Sequence, residues 1–182
     1  MLASPPRRMV LQSERILLRP LEQEDLPALL KLTQDPALWT YFTHDLSTLA
    51  GLEAWAAGHF AGDRFQFVVV DQACQQLLGS TGFGNYFPRD RRIEIGWTWL
   101  GKAAQGTGTN REMKSLMLDY AFNELGMLRV EFKTDVLNLP ARKALLRLGA
   151  TEEGILRSHT LMTHGRRRDT IYYSFLKGEV LP

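Results

Sequence analysis

The stretch Glu94-Ile-Gly-Trp-Thr-Trp-Leu100, followed closely by Gln105-Gly-Thr-Gly-Thr-Asn110, decides the fold of this chain. The first stretch is rich in β-branched and aromatic residues, which predicts a strand. The second contains two glycines, which predicts a loop. After the loop, apolar residues recur at the spacing of one helix face: Met113, Leu116, Met117, Tyr120 and Ala121. A strand, a glycine loop and an amphipathic helix in this order indicate a mixed α/β domain.

The segments on both sides extend the same pattern. Short polar turns separate three runs rich in β-branched and aromatic residues, 65–70, 77–87 and 93–100, which predicts an antiparallel meander. The other predicted elements are a strand at 13–21, helices at 22–33 and from a Ser47 cap to 59, a helix at 110–125, a strand at 129–134, a helix from Asn138 to 148, and strands at 154–162 and 170–176. We therefore predict an α/β (α+β) fold with a central, mostly antiparallel sheet flanked by helices. Residues 1–10 are predicted to be a flexible tail and residues 11–178 a single domain.

Composition and charge narrow the functional class. Among 182 residues, 22 Lys and Arg oppose 20 Asp and Glu, and a net charge of +2 argues against a nucleic-acid-binding protein. The single cysteine, Cys74, excludes a disulfide framework, and the histidines show no metal-ligand spacing, so no metal site is predicted. No apolar run approaches the roughly 20 residues of a membrane helix, and the first residues lack an apolar signal-peptide core. These features predict a cytoplasmic protein with neither a membrane nor a nucleic acid as partner.

The glycine loop at 105–110 has the properties of an anion site. Glycines allow backbone N–H groups to turn toward a phosphate, and the start of the following helix adds a favourable dipole. Thr107 and Thr109 offer hydroxyl donors. The Gly-Lys-Ser/Thr ending of a Walker loop and the Rossmann glycine spacing are both missing from this loop. A plain glycine turn with Asn110 as the helix cap is the alternative, and it is compatible with an anion site.

The motifs in their order resemble the GNAT superfamily of acyl-CoA-dependent N-acetyltransferases. The resemblance is carried by the two opening stretches, the amphipathic helix, Phe132-Lys-Thr-Asp135, Asn138 and Arg147-Leu-Gly-Ala150. Asn138-Leu-Pro-Ala-Arg and Leu148-Gly-Ala-Thr-Glu-Glu-Gly154 resemble the RimJ/RimL-type branch, and the similarity extends over residues 13–176. Gly106 to Lys114 and Arg168-Asp-Thr-x-x-Tyr-Ser174 are similar to a subgroup that includes self-immunity acetyltransferases acting on microcin C-type aminoacyl nucleotides.

This resemblance implies an enzyme that transfers an acetyl group from acetyl-CoA, without a metal, directly to a primary amine in a ternary complex. The amine would belong to a protein N-terminus, an aminoacyl nucleotide or a small molecule. A homodimer is implied because members of this branch often dimerise. The residues implied in binding acetyl-CoA are Trp99, Leu100, Gln105, Gly106, Thr107, Gly108, Thr109, Asn110, Arg111 and Asn138.

Glu94 and Asn138 are the candidate catalytic residues. Acetyl transfer requires a base because alkylamines arrive protonated, and the resemblance implies a carboxylate near the amine on the strand that carries Glu94. Glu94 lies between Ile93 and Ile95, where burial would penalise its charged form; the alternative is a surface ion pair with a nearby arginine. Asn138 resembles the family asparagine that contacts the pantetheine arm or a water, and its alternative role is a helix cap.

The acid that protonates the departing thiolate is not assigned by the sequence. The positions where relatives carry tyrosine or serine are Leu145 and Ala141 here. The remaining alternatives are Tyr172, Tyr173 or Ser174, or a thiolate that leaves unassisted. The missing donors also motivate a second hypothesis, a non-catalytic acyl-CoA-binding or sensing domain.

The aromatic and basic residues divide into core and acceptor candidates. Trp39 and Trp97 are predicted to contact the acceptor, because an indole can stack on an aromatic or nucleoside group. Trp55 and Trp99 are predicted to pack in the core. Residues 166–168 are three arginines in a predicted turn, which indicates a solvated loop or, alternatively, an attraction for an anionic acceptor or the CoA 3′-phosphate.

Overall fold

The computed structural model describes residues 9–163 and 165–179, and within these ranges eight strands form one sheet. In chain order the strands are β1 Leu11–Gln12, β2 Ile16–Pro20, β3 Phe65–Asp71, β4 Leu77–Phe87, β5 Arg92–Leu100, β6 Arg129–Asp135, β7 Thr151–Leu161 and β8 Arg167–Leu176. Their order across the sheet is β1-β2-β3-β4-β5-β6-β8-β7. Only β5 and β6 pair in parallel, so the predicted α/β fold with a mostly antiparallel sheet is confirmed.

Four α-helices within the same ranges flank this sheet. They are α1 Leu26–Leu30, α2 Leu49–Phe60, α3 Thr109–Asp119 and α4 Leu139–Leu148. The predicted helix at 22–33 is wrong in length, because the Thr33 and Gln34 side chains donate to the carbonyl of Leu30 and end α1 there. The helix predicted at 110–125 begins one residue earlier and ends in a π-helical turn, Tyr120–Glu124.

The cap of α2 is a further correction. The hydroxyl of Thr48, rather than that of Ser47, accepts the N–H of Gly51 at 3.1 Å. Ser47 lies one residue too early because its own N–H already donates to the Asp45 carboxylate at 2.9 Å. By contrast, Asn138 caps α4 as the alternative reading predicted, with its Oδ1 accepting from the N–H of Ala141 at 3.2 Å.

Two apolar cores lie on opposite faces of the sheet. The face toward α3 buries Ile93 and Ile95 of β5, whereas the face toward α1 and α2 buries Trp99 of the same strand. Residues 95 and 99 would share a face in a regular strand, so β5 must change its alternation between them. Trp55 and Trp99 pack edge to face with ring centroids 6.3 Å apart, which confirms the predicted core roles of these two tryptophans.

A bulge in β5 causes this change of face. Two residue steps along β4, from Ser80 to Gly82, are matched by three steps along β5, from Trp99 to Gly96. Trp97, inside the bulge, has a φ of 50°, a left-handed conformation that is a genuine outlier for a bulky residue. Strain of this kind is found where a fold positions a functional group.

The parallel pair of β5 and β6 is short, and this opens the sheet. The strands pair only from Arg92 to Glu94 on β5 and from Arg129 to Glu131 on β6. Beyond these residues β6 remains paired with β8, while β5 continues along β4. The sheet therefore splits between β5 and β6.

The predicted tail falls mostly outside the described residues, which begin at Met9. Met9 itself is 4% exposed and packs in the core on the α3 face. None of the helices in the described ranges has the length and hydropathy of a membrane span.

Candidate active site

A cleft of about 710 Å³ occupies the split between β5 and β6. Its walls come from the second half of β5, from β6, from the start of α3 and α4, and from the segment between α1 and α2. Because the cleft reaches residues on both faces of the sheet, it connects the α3 side with the α1 and α2 side. A larger groove of about 1360 Å³ lies near the C-terminal end of α2, and none of the predicted site residues lines it.

The start of α3 forms one end of the cleft. Its N-cap is Gly108, with φ of 91° and no side chain to cap the helix, while the Thr107 hydroxyl accepts from the N–H of Thr109 at 3.5 Å. Asn110 lies within the first turn, so its alternative role as the cap is wrong. An uncapped helix start leaves its first N–H groups to water or to an anion. Gly106, with φ of 75°, has nothing within 4 Å of where a Cβ would lie, so the loop is open at this position.

The residues predicted to bind acetyl-CoA gather around this helix start. Those that line the cleft are Trp99, Leu100, Gln105, Gly106, Asn110 and Asn138. The Gln105 side chain donates to the carbonyl of Leu100 at 2.9 Å and braces the loop against β5. The Thr107 hydroxyl donates to the carbonyl of Ala104 and lies 2.8 Å from the hydroxyl of Thr109. Both threonine side chains therefore form hydrogen bonds within the loop and stabilise its conformation. Arg111 is exposed on the first turn of α3.

Glu94 lies in the cleft where the strands begin to separate. It is 3% exposed, and its Oε2 accepts from the Asn85 amide at 2.6 Å and pairs with Lys133 Nζ at 2.9 Å. Lys133 and Asn85 hold the carboxylate through Oε2 and leave Oε1 free of both contacts. A Cβ at Gly96 would lie 2.9 Å from Oε1, so the glycine makes room for this carboxylate. The alternative of a surface pair with Arg91 or Arg92 is wrong.

Sequence reasoning missed Lys133 and Asn85. Lys133 comes from β6, and Asn85 comes from β4 with a positive φ of 47°. Asn85 gave no signal, since it resembles an ordinary turn residue. Lys133 could be found only from the register that pairs Glu94 with Glu131, and that register depends on the parallel contact of two distant segments.

Trp97 lies on the cleft wall in a fixed orientation. A Cβ at Gly84 would lie 2.3 Å from a ring atom of Trp97, so the ring packs directly on the backbone of β4. The Arg64 guanidinium lies 5.5 Å from the centre of the Trp97 ring. The other predicted acceptor contact, Trp39, is 2% exposed and donates its indole N–H to the carbonyl of Thr33. Phe42 lines the cleft and packs edge to face on Trp39, with ring centroids 5.4 Å apart.

Asn138 caps a helix and also lines the cleft, so its two predicted roles are compatible. Its Oδ1 caps α4, its Nδ2 donates to the Thr134 hydroxyl at 3.2 Å, and the residue lines the cleft. Proline at the first turn of α4 supports the same helix start. Asn138 is therefore held rigidly beside the cleft by the cap.

The three candidate acids on β8 lie outside the cleft wall. The Tyr173 hydroxyl donates to Glu152 at 3.0 Å and accepts from Arg142, and burial raises its pKa. The Ser174 hydroxyl donates to Glu153 at 2.6 Å. Neither residue lines the cleft, and nor does Tyr172. None of the three is placed to reach a group bound there.

Two buried cations line the cleft: Lys114, which sequence reasoning did not assign, and Arg168, for which an attraction for an anion was the alternative. Lys114 is 4% exposed, and its Nζ donates to the hydroxyls of Thr98 at 2.5 Å and Thr81 at 3.2 Å. Burial lowers the pKa of Lys114 to about 7, against the opposing charge of Glu94. The sequence contained a signal for this burial, because Lys114 precedes the apolar Leu118 and Ala121 by one and two helical turns. This spacing places Lys114 on the buried face of α3.

Arg168 is the second buried cation. It belongs to β8 and is 7% exposed, so the predicted solvated turn is wrong for this residue. Its Nε donates to the Thr170 hydroxyl at 3.0 Å, while the nearby Asp135 carboxylate pairs with Arg166. Burial lowers the pKa of Arg168, and the charge of Asp135 opposes this shift. Arginine stays protonated nevertheless, so a positive charge faces the cleft.

No group of three or more His, Cys, Asp or Glu side chains able to hold a metal ion occurs in the part of the chain that the structure describes. The described arrangement consists of an open helix start, a split sheet and a buried carboxylate within one cleft. It can bind an anion at one end and remove a proton at the other.

Comparison with known proteins agrees with this arrangement. A family model described as an acetyltransferase (GNAT) domain matches residues 15–151. The chain is 29% identical over 174 residues to the uncharacterized N-acetyltransferase p20 of Bacillus licheniformis, across 93% of this chain and 97% of that protein. The crystal structure of a GCN5-related N-acetyltransferase from Brucella melitensis has a TM-score of 0.87 at 28% identity, across 94% of this chain and 80% of that one. The ribosomal-protein-S5-alanine acetyltransferase of Vibrio fischeri shares the fold at 22% identity, with a TM-score of 0.73 and coverage of 96% and 100%.

The family match spans well over half of the sequence and includes β5, the glycine loop, α3 and α4. Enzymes of this family are acyltransferases that use acetyl-CoA as co-substrate, which favours catalysis over the non-catalytic alternative. The chain belongs to the GNAT family of acetyltransferases.

Proposed function

We propose that this protein transfers an acetyl group from acetyl-CoA directly to a primary amine while both substrates are bound. One observation carries the proposal: the cleft through the split sheet joins the open start of α3 to the buried carboxylate of Glu94. A donor bound from one face of the sheet would thus meet an amine bound from the other. Such proximity makes direct transfer possible without an acetylated enzyme.

The residues at the α3 end suit acetyl-CoA. The uncapped N–H groups of the first turn and the open backbone at Gly106 would bind the pyrophosphate. Leu100 of β5 and Asn138 at the start of α4, which both line the cleft, would hold the pantetheine arm. Acetyl-CoA supplies an acetyl group activated as a thioester. The bulge in β5 interrupts the hydrogen bonds between β4 and β5, and the backbone N–H groups left unpaired there would stabilise the charge that develops on the thioester carbonyl oxygen.

Glu94 would act as the base. Its carboxylate takes the proton of the arriving ammonium group, which frees the nitrogen lone pair to form the new C–N bond. Lys133 and Asn85 keep Oε2 in place, while Gly96 leaves space beside Oε1. Trp97, with its ring fixed between Gly84 and Arg64, would form the adjacent wall of the acceptor site. We propose that Trp39 acts there by supporting Phe42.

The acceptor side of the cleft favours an amine that also carries an anionic group. Of the charged residues on this side, Glu94 and Lys133 neutralise each other, which leaves the buried Arg168 as the excess charge. Its described partners are the hydroxyls of Thr160 and Thr170, which are neutral. A phosphate or carboxylate on the acceptor would supply the counter-charge with charge-assisted hydrogen bonds.

The proposal is tested by measuring thiol release from acetyl-CoA with a panel of amines and by detecting the acetylated amine by mass spectrometry. We expect amine-dependent release of CoA thiol together with one acetylated product. Tight binding of acetyl-CoA without transfer to any amine would contradict the proposal and support an acyl-CoA sensor instead.

Replacing Gly106 with valine tests the donor site. The fold has room for the side chain, since nothing lies within 4 Å of its Cβ, but the side chain would occupy the space proposed for the phosphates. We expect the KM for acetyl-CoA to rise about tenfold or more, which corresponds to about 1.4 kcal/mol. Gly165→Val is the matched control, because Gly165 has the same φ of 75° and equally open surroundings. An equal effect of both variants would show that backbone strain alone is responsible.

Replacing Arg168 with methionine tests the acceptor class. We expect the KM for aminopropyl phosphate or β-alanine to rise about 10- to 100-fold, because charge-assisted hydrogen bonds contribute about 1.5–3 kcal/mol. The KM for the neutral propanolamine should not change, and Arg167→Met, at an exposed neighbouring position, should behave as wild type. The two anionic amines distinguish phosphate from carboxylate recognition. A wild-type enzyme that prefers propanolamine would contradict the assignment.

Other predictions remain proposals. The homodimer would use β7, since this strand lies at the edge of the sheet and exposes Ile155, Leu156 and Leu161. The likeness to acetyltransferases acting on aminoacyl nucleotides, the cytoplasmic location and the absence of nucleic-acid partners rest on the sequence alone.

A further inference from the structure

Lys114 is a buried ionisable group to which the proposed mechanism gives no role. Its Nζ donates to Thr98 of β5 at 2.5 Å and lies 5.6 Å from the centre of the Phe132 ring of β6. Thr98 and Phe132 belong to the two strands that separate, and both line the cleft. The amino group therefore lies at the bottom of the split, on the α3 face.

This position is where a proton donor for the thioester is missing. Ala141 and Leu145, which line the same cleft from α4, have no proton to give. Tyr173 and Ser174 are bonded to carboxylates elsewhere. Tyr41 lines the cleft from the segment between α1 and α2, whose neighbouring residues Trp39 and Phe42 pack in the core on the opposite face of the sheet. Among the described residues on the α3 side of the cleft, Lys114 has an ionisable proton at the split.

Burial of Lys114 also has an energetic consequence. Its described hydrogen-bond partners are two threonine hydroxyls. The carboxylate whose charge acts on Lys114 is that of Glu94, which already forms an ion pair with Lys133. A lysine without a directly bonded counter-ion destabilises the folded state when charged. A methionine of similar length would remove this cost, so a purely structural role does not explain the lysine.

We propose that Lys114 is the acid of the reaction and donates a proton from Nζ to the thiol sulfur of CoA as the C–S bond breaks. The inference rests on the proposed transfer from acetyl-CoA. It assigns a role that the tyrosines and serine of β8 do not fill.

Protons and electron pairs balance over one turnover. The arriving ammonium group gives one proton to Glu94, its freed lone pair forms the C–N bond, and the nitrogen then gives a second proton to solvent. The electron pair of the C–S bond goes to sulfur. Lys114 supplies the proton that sulfur takes up. At this point Glu94 holds one additional proton and Lys114 lacks one, and exchange through solvent restores both groups.

The acidity of Lys114 suits this step. Burial lowers the pKa of Lys114 from 10.5 to about 7. A thiol has a pKa near 8.5, so proton transfer from the ammonium group to a departing thiolate is favourable. The charged groups that share the cleft are Glu94 of β5, Lys133 of β6 and Arg168 of β8. Of these, Glu94 favours the protonated lysine and keeps part of it charged at neutral pH.

Replacing Lys114 with methionine in the full chain tests the proposal. We expect kcat to fall about 10²-fold or more, the loss typical of a removed general acid, while the Kd for acetyl-CoA measured by calorimetry stays unchanged. Lys143→Met, at an exposed position on α4, is the matched control and should retain wild-type kcat.

The unliganded protein provides a second measurement. Between pH 7 and 10.5 the unfolded chain binds a proton that folded Lys114 has lost, so the stability of the wild type rises with pH across this window. Lys114→Met should lose this pH dependence and have a higher Tm at neutral pH. A variant with a lower Tm and weaker acetyl-CoA binding would show a structural role and overturn the proposal.

Lys114→Arg separates proton donation from charge. Arginine keeps the positive charge but does not release a proton, so its kcat should be as low as that of the methionine variant. Wild-type kcat in either variant would overturn the role of Lys114 while leaving acetyl transfer intact. A wild-type protein that acetylates no amine would overturn the proposed function and this inference together.

Discussion

Replacing Glu94 with glutamine is expected to lower kcat/KM for the amine by about 10²- to 10⁴-fold at neutral pH, the range typical of a lost general base. Glutamine keeps the shape of the side chain and can still accept from Asn85, but it cannot take the proton of the amine. The KM for acetyl-CoA should stay close to the wild-type value, because the donor end of the cleft is unchanged. Steady-state kinetics with one amine and varied acetyl-CoA provide the measurement.

The pH dependence makes the Glu94 prediction sharper. An alkylamine has a pKa near 10, so its neutral fraction rises about tenfold per pH unit below that value. The Glu94→Gln rate should follow this rise, and the wild-type rate should depend less on pH. Glu131→Gln is the matched control, since Glu131 is the register partner of Glu94 but pairs with Arg92 and Arg129 instead. A Glu94→Gln enzyme with wild-type turnover would contradict the assignment.

Replacing Gly84 with valine should impair both stability and acceptor use. The new Cβ would lie 2.3 Å from the Trp97 ring, and the backbone of β4 cannot move away without breaking its pairing with β5. We expect the free energy of unfolding to fall by about 1–3 kcal/mol, as for other overpacked positions. Because the displaced ring forms the wall beside Glu94, kcat/KM for the amine should fall about 10²-fold. Denaturant unfolding and steady-state kinetics measure the two effects.

A second substitution shows whether the Trp97 ring is the cause. Trp97→Ala in the Gly84→Val background removes the clashing ring, so the double variant should be more stable than the sum of the single variants implies. Acceptor use should remain low, because the cleft wall is then missing. Strictly additive losses of stability would show that Gly84 is needed for another reason.

Features set by neighbouring residues in the chain were predictable from the sequence. The apolar spacing from Met113 to Ala121 predicts α3, and Asn138 with the following proline predicts the start of α4. Both signals act within one or two helical turns, so a single segment contains all the information. The meander of β3, β4 and β5 was predictable for the same reason, because short polar turns connect adjacent strands.

Features that depend on distant segments were not predictable. The parallel contact of β5 with β6 joins residues that are far apart in the chain, and it decides where the sheet splits. Lys133 and Arg168 both reach the cleft because β6 and β8 pair in one register, and a shift of one residue would turn one of the two side chains to the other face. The burial of Trp39 depends equally on its distant contact with Trp99.

The central claim is direct transfer between two bound substrates, and initial rates at varied acetyl-CoA and varied amine test it most directly. A ternary complex predicts double-reciprocal lines that intersect, with no acetylated enzyme detected by mass spectrometry when acetyl-CoA is present alone. Parallel lines together with an acetylated side chain would show a covalent route and contradict the account.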